Sequence, residues 1–492
     1  MGESQVAVPA LVAGVADPGS AKAWDGQPHA TAESVRTGEA RIAGTRVATI
    51  VSDFAVHGGS VGQESAARII RCVERATAEG LPLLVSPRSG GTRMQEGMAA
   101  FVTMIPMTAA LRAHKAAGLP FLAYLRGPTT GGSLVSWSAL AHVVAAEPRA
   151  FIGLLGPKVH RSLGRPAPSA GTQRAETLLA RGLLDAVVPR AALRPMLIRT
   201  LRALGYGPAA PQSVAAHPPA SVPARSPSVP GRSSHTDAWH AVAVSRAVDR
   251  PGVRDLLSHG ARDVVYLAGT QASDRHGMVL AFARFGATRA VVVGHARNDR
   301  HHLGSEGLRL LQRAVALASD LGLALVTVID TSGHQLASEE KSGDIAHEIG
   351  RCLEGLIAHE GPTVSVILGQ GAGAGAIALL PADRTLVAAH GWLSSLPPEA
   401  ASMVVYDDTA HGAAIAREQG ITAADLLDIG VADEIVDDGP CPQPAAREFA
   451  HRFTTAIERQ LGIAAHISPV RRTRRRARKY RFMLPGGSAA AS

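Results

Sequence analysis

Pro128-Thr129-Thr130-Gly131-Gly132-Ser133 follows the apolar run Phe121 to Leu125, and Gly369-Gln370-Gly371-Ala372-Gly373-Ala374-Gly375 follows the apolar run Val364 to Leu368. Each reads as a buried strand that ends in a glycine-rich turn and a helix start. The flanks repeat as well. Gly80-Leu81-Pro82-Leu83-Leu84-Val85 with Ser89-Gly90 answers Gly322-Leu323-Ala324-Leu325-Val326-Thr327 with Ser332-Gly333. The offset that lays Gly90 on Gly333 also lays Gly131-Gly132 on Ala374-Gly375. Gly182-Leu183-Leu184-Asp185-Ala186-Val187-Val188 reappears as Gly430-Val431-Ala432-Asp433-Glu434-Ile435-Val436. The chain reads as a tandem duplication.

A length of 492 residues exceeds what one hydrophobic core usually supports and points to two domains. The expected division is a disordered leader over 1–30, a first domain over 31–206, a linker over 207–236, a second domain over 237–465 and a basic tail over 466–492. The linker is rich in Pro, Ala and Ser and carries no periodic apolar pattern, as a semi-extended connection does. The leader has no basic stretch ahead of its short apolar run, which argues against a signal peptide. No run reaches the roughly 18 apolar residues of a membrane span, so no membrane contact is expected.

The net charge of +9 is concentrated in the tail, because no acidic residue follows Glu458 while Arg459 and the run from Arg471 to Arg481 are basic. The rest of the chain is close to neutral. A solvated basic end is therefore the expected reading, nucleic acid is an unlikely partner except through that tail, and a contact with a nucleotide-bearing substrate is the other alternative. The 3 cysteines, Cys72, Cys352 and Cys441, supply neither a disulfide framework nor a Cys-x-x-Cys metal site. A reducing, cytoplasmic location without a bound metal is expected.

Strand-like runs at 48–54, 81–85, 121–125 and 142–146 alternate with helix-like segments at 61–80 and 103–118. In the second half, runs at 290–294, 323–329, 364–368 and 385–388 alternate with helices at 305–321 and 344–358. Repeated β-then-α units predict an α/β fold with parallel sheets covered by helices.

The first N–H groups of a helix have no intrahelical partner, and glycine lets the backbone approach a ligand closely. A Gly-Gly helix start can therefore hold an oxyanion with peptide donors alone. Two other readings stand beside this one. Small residues can simply allow close packing of strand, turn and helix. Gly371 to Ala376 also fits a dinucleotide fingerprint formally, but the acidic residue that motif needs about 20 positions on is missing from Val387 to Ser395. Paired oxyanion sites alone explain why both halves carry the feature. No Ser-His-Asp spacing or HExxH stands out among the 20 histidines.

These stretches resemble the carboxyltransferase components of acyl-CoA carboxylases, of the crotonase superfamily. The first half is similar to the bacterial acetyl-CoA carboxylase carboxyltransferase β subunit in Asp53-Phe54, Gly58 to Gly62, Ser89-Gly90-Gly91-Thr92-Arg93-Met94-Gln95-Glu96-Gly97, Pro128 to Gly132, Ala146-Glu147-Pro148 and Ile152 to Pro157. The second half resembles the α subunit in Val293-Gly294-His295, Glu306-Gly307, Ile329 to Gly333, Gly369 to Ala376 and Pro398 to Ala401. The resemblance implies two tandem crotonase-like domains of ββα repeats, forming a fused β-α carboxyltransferase. It would move the carboxyl group of carboxybiotin, borne on a separate carrier protein, to acetyl-CoA, giving malonyl-CoA for fatty acid biosynthesis.

In that family Gly131 and Gly132 would hold the thioester enolate oxygen, and Ala374 and Gly375 the ureido oxygen of biotin. Ser89, Gly90, Gly91, Arg93, Gly156 and Gly333 are the expected substrate-binding residues. Expected partners are a biotin carboxylase and biotin carboxyl carrier subunit, an acyl-CoA and further copies of the chain. A propionyl-CoA or other acyl-CoA carboxyltransferase, a biotin-dependent decarboxylase subunit, and a degenerate paralogue that binds CoA or acts as a scaffold are the alternatives.

The chain departs from the family in three places. The β subunit's four-cysteine zinc ribbon has no counterpart here, Ala374-Gly375 stands for Gly-Gly, and Asp330-Thr331-Ser332-Gly333-His334-Gln335 stands for Asp-Thr-Pro-Gly-Ala-Tyr. Three further groups have structural as well as functional readings. Arg93 and Glu96 suit a CoA phosphate, a domain interface or an ion pair. His295, Arg297, Arg300, His301 and His302 read as an exposed polar loop that could face CoA or biotin. Glu339 and Glu340 precede a helix, whose dipole they complement.

Overall fold

Each half opens with an antiparallel hairpin and continues into parallel strands crossed over by helices. The computed structural model describes residues 9–24, 33–153, 171–207, 237–270, 277–297, 303–333, 339–439 and 445–480. The expected linker from 208 onward, the position of Gly156, and Arg300, His301 and His302 lie outside the described residues.

The strands of the first half are β1 (Lys22–Ala23), β2 (Val35–Ile42), β3 (Thr45–Ser52), β4 (Leu83–Ser86), β5 (Phe121–Leu125), β6 (Thr129–Thr130), β7 (Val143–Ala146), β8 (Ile152–Gly153) and β9 (Ala186–Val187). All but β6 and β8, which pair with each other, form one sheet in the order β1-β2-β3-β4-β5-β7-β9. The second half supplies β10 (Arg262–Tyr266), β11 (Met278–Phe285), β12 (Thr288–His295), β13 (Ala324–Thr331), β14 (Thr363–Ala372), β15 (Arg384–Ala388), β16 (Trp392–Ser394) and β17 (Glu434–Val436). Their order is β10-β11-β12-β13-β14-β15-β17, with β16 added on β14. Pairing is antiparallel up to β3 and β12 and parallel beyond them.

Every residue of β4, β5 and β7 is buried, which is why these strands read as continuous apolar runs rather than alternating ones. Helices Gln63–Ala78, Met104–Ala116, Ser305–Asp320 and Glu339–Ala358 stand where periodicity expects helices, within a few residues. The halves are packed into one another. Leu122 and Tyr124 of β5, Leu193 and Leu197 of helix Arg190–Ala203, and Leu280 and Phe282 of β11 belong to one buried cluster.

Asp185 rivets that junction. Its carboxylate accepts from the backbone of Val144 at 2.7 Å, from Ala268 of the second half at 2.7 Å, and from Arg313 at 2.9 Å. Its repeat partner Asp433 makes the same local bond, to Thr385 N at 2.7 Å, but meets Arg384 and Lys479 instead.

Two expectations about the chain ends need correction. Part of the leader is ordered: helix Ala10–Val15 buries Leu11, Val12 and Val15, and β1 pairs with β2. The start of the basic tail is not a solvated run but helix Pro469–Arg478, whose Arg472 and Arg476 are buried. Arg476 donates to the carbonyls of Leu356 (2.5 Å) and His359 (2.7 Å) at the end of helix Glu339–Ala358 and pairs with Asp383 at 2.9 Å. A cation at those last carbonyls complements the helix dipole, so part of the charge excess works as a clamp.

Candidate active site

In the first half β5 leads through Pro128 and β6 into helix Gly131–Trp137; in the second, β14 leads directly into helix Gly373–Leu379. The residue before each helix, Thr130 or Ala372, gives no side-chain cap. Gly131 has φ +58° and Gly373 has φ +72°, a left-handed conformation that glycine adopts without penalty and that swings the chain from strand into helix.

That equivalence shifts the repeat by one residue from the offset read in the sequence. Gly131 answers Gly373, and Gly132 answers Ala374. Three other features agree. Gly91 and Gly333 share φ values of +112° and +110°. Gly91 N donates to Ser89 Oγ at 3.1 Å, and Gly333 N to Thr331 Oγ1 at 3.2 Å. Ser89 bridges to Thr129 as Thr331 pairs with Gly371. Gly375 is therefore the counterpart of Ser133, buried further along its helix, whereas Gly373 is half-buried and Ala374 exposed. The glycine-rich string can slide by one residue without losing matches, which is why sequence alone misplaced it.

Ser89 is fully buried, and its hydroxyl lies 2.7 Å from that of Ser133, tying the loop to the helix start. Gly91 packs on the turn so closely that a β-carbon there would lie 3.3 Å from Thr130 O. Gly132 is half-buried, and a β-carbon on it would come within 2.5 Å of Thr92 Oγ1 and 2.7 Å of Met104 Sδ. Gly90 is exposed and donates to Gly58 O.

Arg93 resolves to the ion-pair reading. Its guanidinium meets Glu33 at 2.8 Å and Glu96 at 3.0 Å and also reaches Ser34 and Ser60 O, so both terminal nitrogens are engaged by protein, while Nε is buried without a hydrogen-bond partner among the described residues. Burial pushes Glu33 up, but the Arg93 hydrogen bonds and charge, with Ser65 and the Ser34 amide, outweigh it and hold the carboxyl at about 2.

His295 and Arg297 are not an exposed loop. His295 is buried at the end of β12, where its Nδ1 accepts from Asp330 N at 3.3 Å. Arg297 pairs with Asp330 at 2.9 Å. Asp330, quoted in the sequence only as part of a string, also accepts from Gln370 N at 3.0 Å. Glu339 and Glu340 open helix Glu339–Ala358; their side chains lie outside the described residues.

Among the described residues no group of three or more His, Cys, Asp or Glu side chains is arranged to hold a metal ion, and no helix is long and apolar enough to cross a membrane. Each half thus offers a glycine-led helix start without a side-chain cap.

Fold and turns together define a two-domain crotonase-like α/β protein. Residues 19–435 match the carboxyl transferase domain family, and the chain belongs to that family. It is 44% identical to the probable biotin-dependent acyl-coenzyme A carboxylase beta3 subunit of Mycobacterium tuberculosis, over 97% of this chain and 98% of that one. It is 34% identical to the acetyl-coenzyme A carboxylase carboxyl transferase subunits beta/alpha of Salinispora arenicola, over 93% of this chain and 82% of that one. A crystal structure of transcarboxylase 12S with methylmalonyl-coenzyme A bound shares the fold at a TM-score of 0.73 and 20% identity, over 92% and 89% of the two chains.

Proposed function

We propose that the chain is the carboxyltransferase subunit of a biotin-dependent acyl-CoA carboxylase, acting on acetyl-CoA to give malonyl-CoA. The observation that carries this reading is the matched pair of uncapped helix starts at Gly131-Gly132 and Gly373-Ala374. The reaction develops two oxyanions, one on the thioester as its α-carbon loses a proton, the other on the ureido group that gives up the carboxyl. The amides at 131 and 132 serve the first, and those at 373 and 374 the second, with Ser89, Gly91 and Gly333 shaping the two loops beside them. When bound, carboxybiotin supplies the carboxyl group and, once that has left, a basic ureido anion able to take the substrate proton. The chain itself needs only to orient and stabilise. Losing one such donor costs about 3–4 kcal/mol in activation free energy.

Acetyl-CoA is favoured by the likeness of both halves to acetyl-CoA carboxylase subunits and by the name of the Salinispora relative. The 44% identical relative is named for acyl-CoA without a chain length, so propionyl-CoA is the competing substrate. The partners are a subunit carrying biotin carboxylase and carrier functions and a further copy of this chain, in the cytoplasm. Exposed apolar side chains on each half support the homo-oligomer: Met94 (86% exposed) and Ile105 (73%) on the first, Val404 (73%) with Ile377 and Met403 on the second. Contact between the first half of one copy and the second half of another would cover both.

The test is decarboxylation of malonyl-CoA and methylmalonyl-CoA by the purified chain with free biotin. Malonyl-CoA is expected to turn over faster, and Gly132→Val, whose β-carbon collides with the side chains of Thr92 and Met104 and so displaces the amide it carries, to lose about 100-fold or more in rate while the chain still folds. Preference for methylmalonyl-CoA would reassign the acyl group; undiminished activity in the variant would remove the oxyanion assignment.

A further inference from the structure

The two turns share a backbone, yet the second has an aspartate–arginine pair bonded directly to its strand amide, and the described residues show no such bond in the first. Where β13 meets β14 the ladder slips: Ile329 pairs with Ile367, but Thr331 pairs with Gly371, leaving Leu368 to Gln370 bulged out of register. A bulge deprives its residues of ladder partners, and a half-buried amide needs an acceptor. Asp330 Oδ1 supplies it to Gln370 N at 3.0 Å. Its other oxygen holds Arg297 at 2.9 Å, and Arg297 in turn donates to the carbonyls of Ser245 (2.8 Å) and Ala247 (2.7 Å). The Asp330 carboxylate is 1% exposed. Gly369 leaves room for it, since a β-carbon there would lie 2.6 Å from Oδ1.

The first half provides an internal control. By the equivalence of Ser89 with Thr331 and Thr129 with Gly371, Asp330 answers Arg88 and Gln370 answers Pro128. Proline has no N–H to satisfy, and among the described residues no carboxylate bonds to it; Arg88 is exposed and donates to Gly127 O at 2.9 Å. The hydroxyl bridge from Ser89 to Ser133 that locks the first turn has no counterpart either, because position 375 is glycine. The Ser89–Ser133 bridge and the Asp330–Arg297 pair therefore fasten the two turns with different chemistry.

We propose that Asp330, braced by Arg297, is the positioning residue of the second turn: it fixes the bulge three residues before Gly373 and so sets the direction of the Gly373 and Ala374 donors, leaving the first turn untouched. The assignment of that turn to biotin rests on the function proposed above; the bracing does not. The Asp330–Arg297 pair also presents no net charge beside a site that must accept a developing anion. Asparagine at 330 keeps an acceptor for Gln370 but releases Arg297, whereas alanine removes both bonds.

Steady-state decarboxylation of malonyl-CoA with free biotin separates the two sides. Asp330→Ala is expected to lower kcat/KM for biotin by about 100-fold, the scale of a small misplacement of aligned groups, with the KM for the acyl-CoA within about twofold. Asp330→Asn is expected to recover most of that loss. Arg297→Lys, which keeps the charge and loses the planar fork, serves if the alanine variant does not fold, and is expected to impair biotin and not the acyl-CoA. Equal effects on both substrates, or none, would overturn the proposal. Hydrogen exchange at residues 370–374 reads the bracing without any substrate: faster exchange in Asp330→Ala is expected, and unchanged exchange would overturn it. If the unaltered chain shows no biotin-dependent turnover while the exchange result holds, the proposed function fails and the positioning role stands.

Discussion

The halves of this chain repeat the same backbone and fasten it with different side chains. Gly131 and Gly373 turn strand into helix alike, as Gly91 and Gly333 turn the neighbouring loop alike. The locks differ: a serine pair in the first half, an aspartate with arginine in the second. Duplication has kept the peptide donors and let their supports diverge, as expected if each turn faces a different partner molecule while meeting the same need for an anion site.

The two repeat-related aspartates differ in what they hold together. Asp185 and Asp433 make the same bond to a strand amide, but Asp185 is 1% exposed and ties the halves together, whereas Asp433 is 19% exposed and holds the C-terminal helix. Breaking a buried pair from one side costs about 3–5 kcal/mol, because Arg313 is left uncompensated. Asp185→Ala is therefore expected to lose that much stability in urea unfolding, and Asp433→Ala clearly less. Equal losses would mean that the junction is no more dependent on its rivet than the tail.

A smaller effect should be the same in both halves. His114 Nδ1 lies 2.9 Å from Thr77 Oγ1, and His359 Nδ1 lies 2.9 Å from Ser319 Oγ, each histidine buried at the end of a helix. Burial lowers both to about 4. The unfolded chain takes up these protons near pH 6.5 and the folded chain only near 4, so the stability they contribute is complete above 6.5 and is lost as pH falls toward 4. Replacing either histidine with glutamine is expected to flatten the pH dependence of unfolding across that window, and by similar amounts. A change confined to one of them would break the symmetry.

Much of the fold was legible because parallel strands buried on both faces leave uninterrupted apolar runs. The leading hairpins were harder. β2 carries Arg36, Glu39 and Arg41 among its apolar residues, and β11 ends a stretch with no glycine-rich turn behind it to draw attention. The two glycine-rich turns were legible, and their equivalence was legible to within one residue. The sign of φ at Gly131 and Gly373 decides the register, and a string of alternating Gly and Ala does not announce it. Asp330 escaped as a functional candidate because its partners, Arg297 and the Gln370 amide, are brought to it by the sheet and not by spacing. The basic tail misled for a plainer reason: a charge count does not say which arginines find buried carbonyls.

If the two backbone turns serve two different substrates, replacing Ala374 with proline should impair one of them alone. Proline deletes one peptide donor while suiting the first turn of a helix, where that N–H has no intrahelical partner. We predict unchanged thermal unfolding, unchanged acyl-CoA binding and a fall of about 100-fold in biotin-dependent decarboxylation of malonyl-CoA. Undiminished turnover in a folded Ala374→Pro chain would contradict the account.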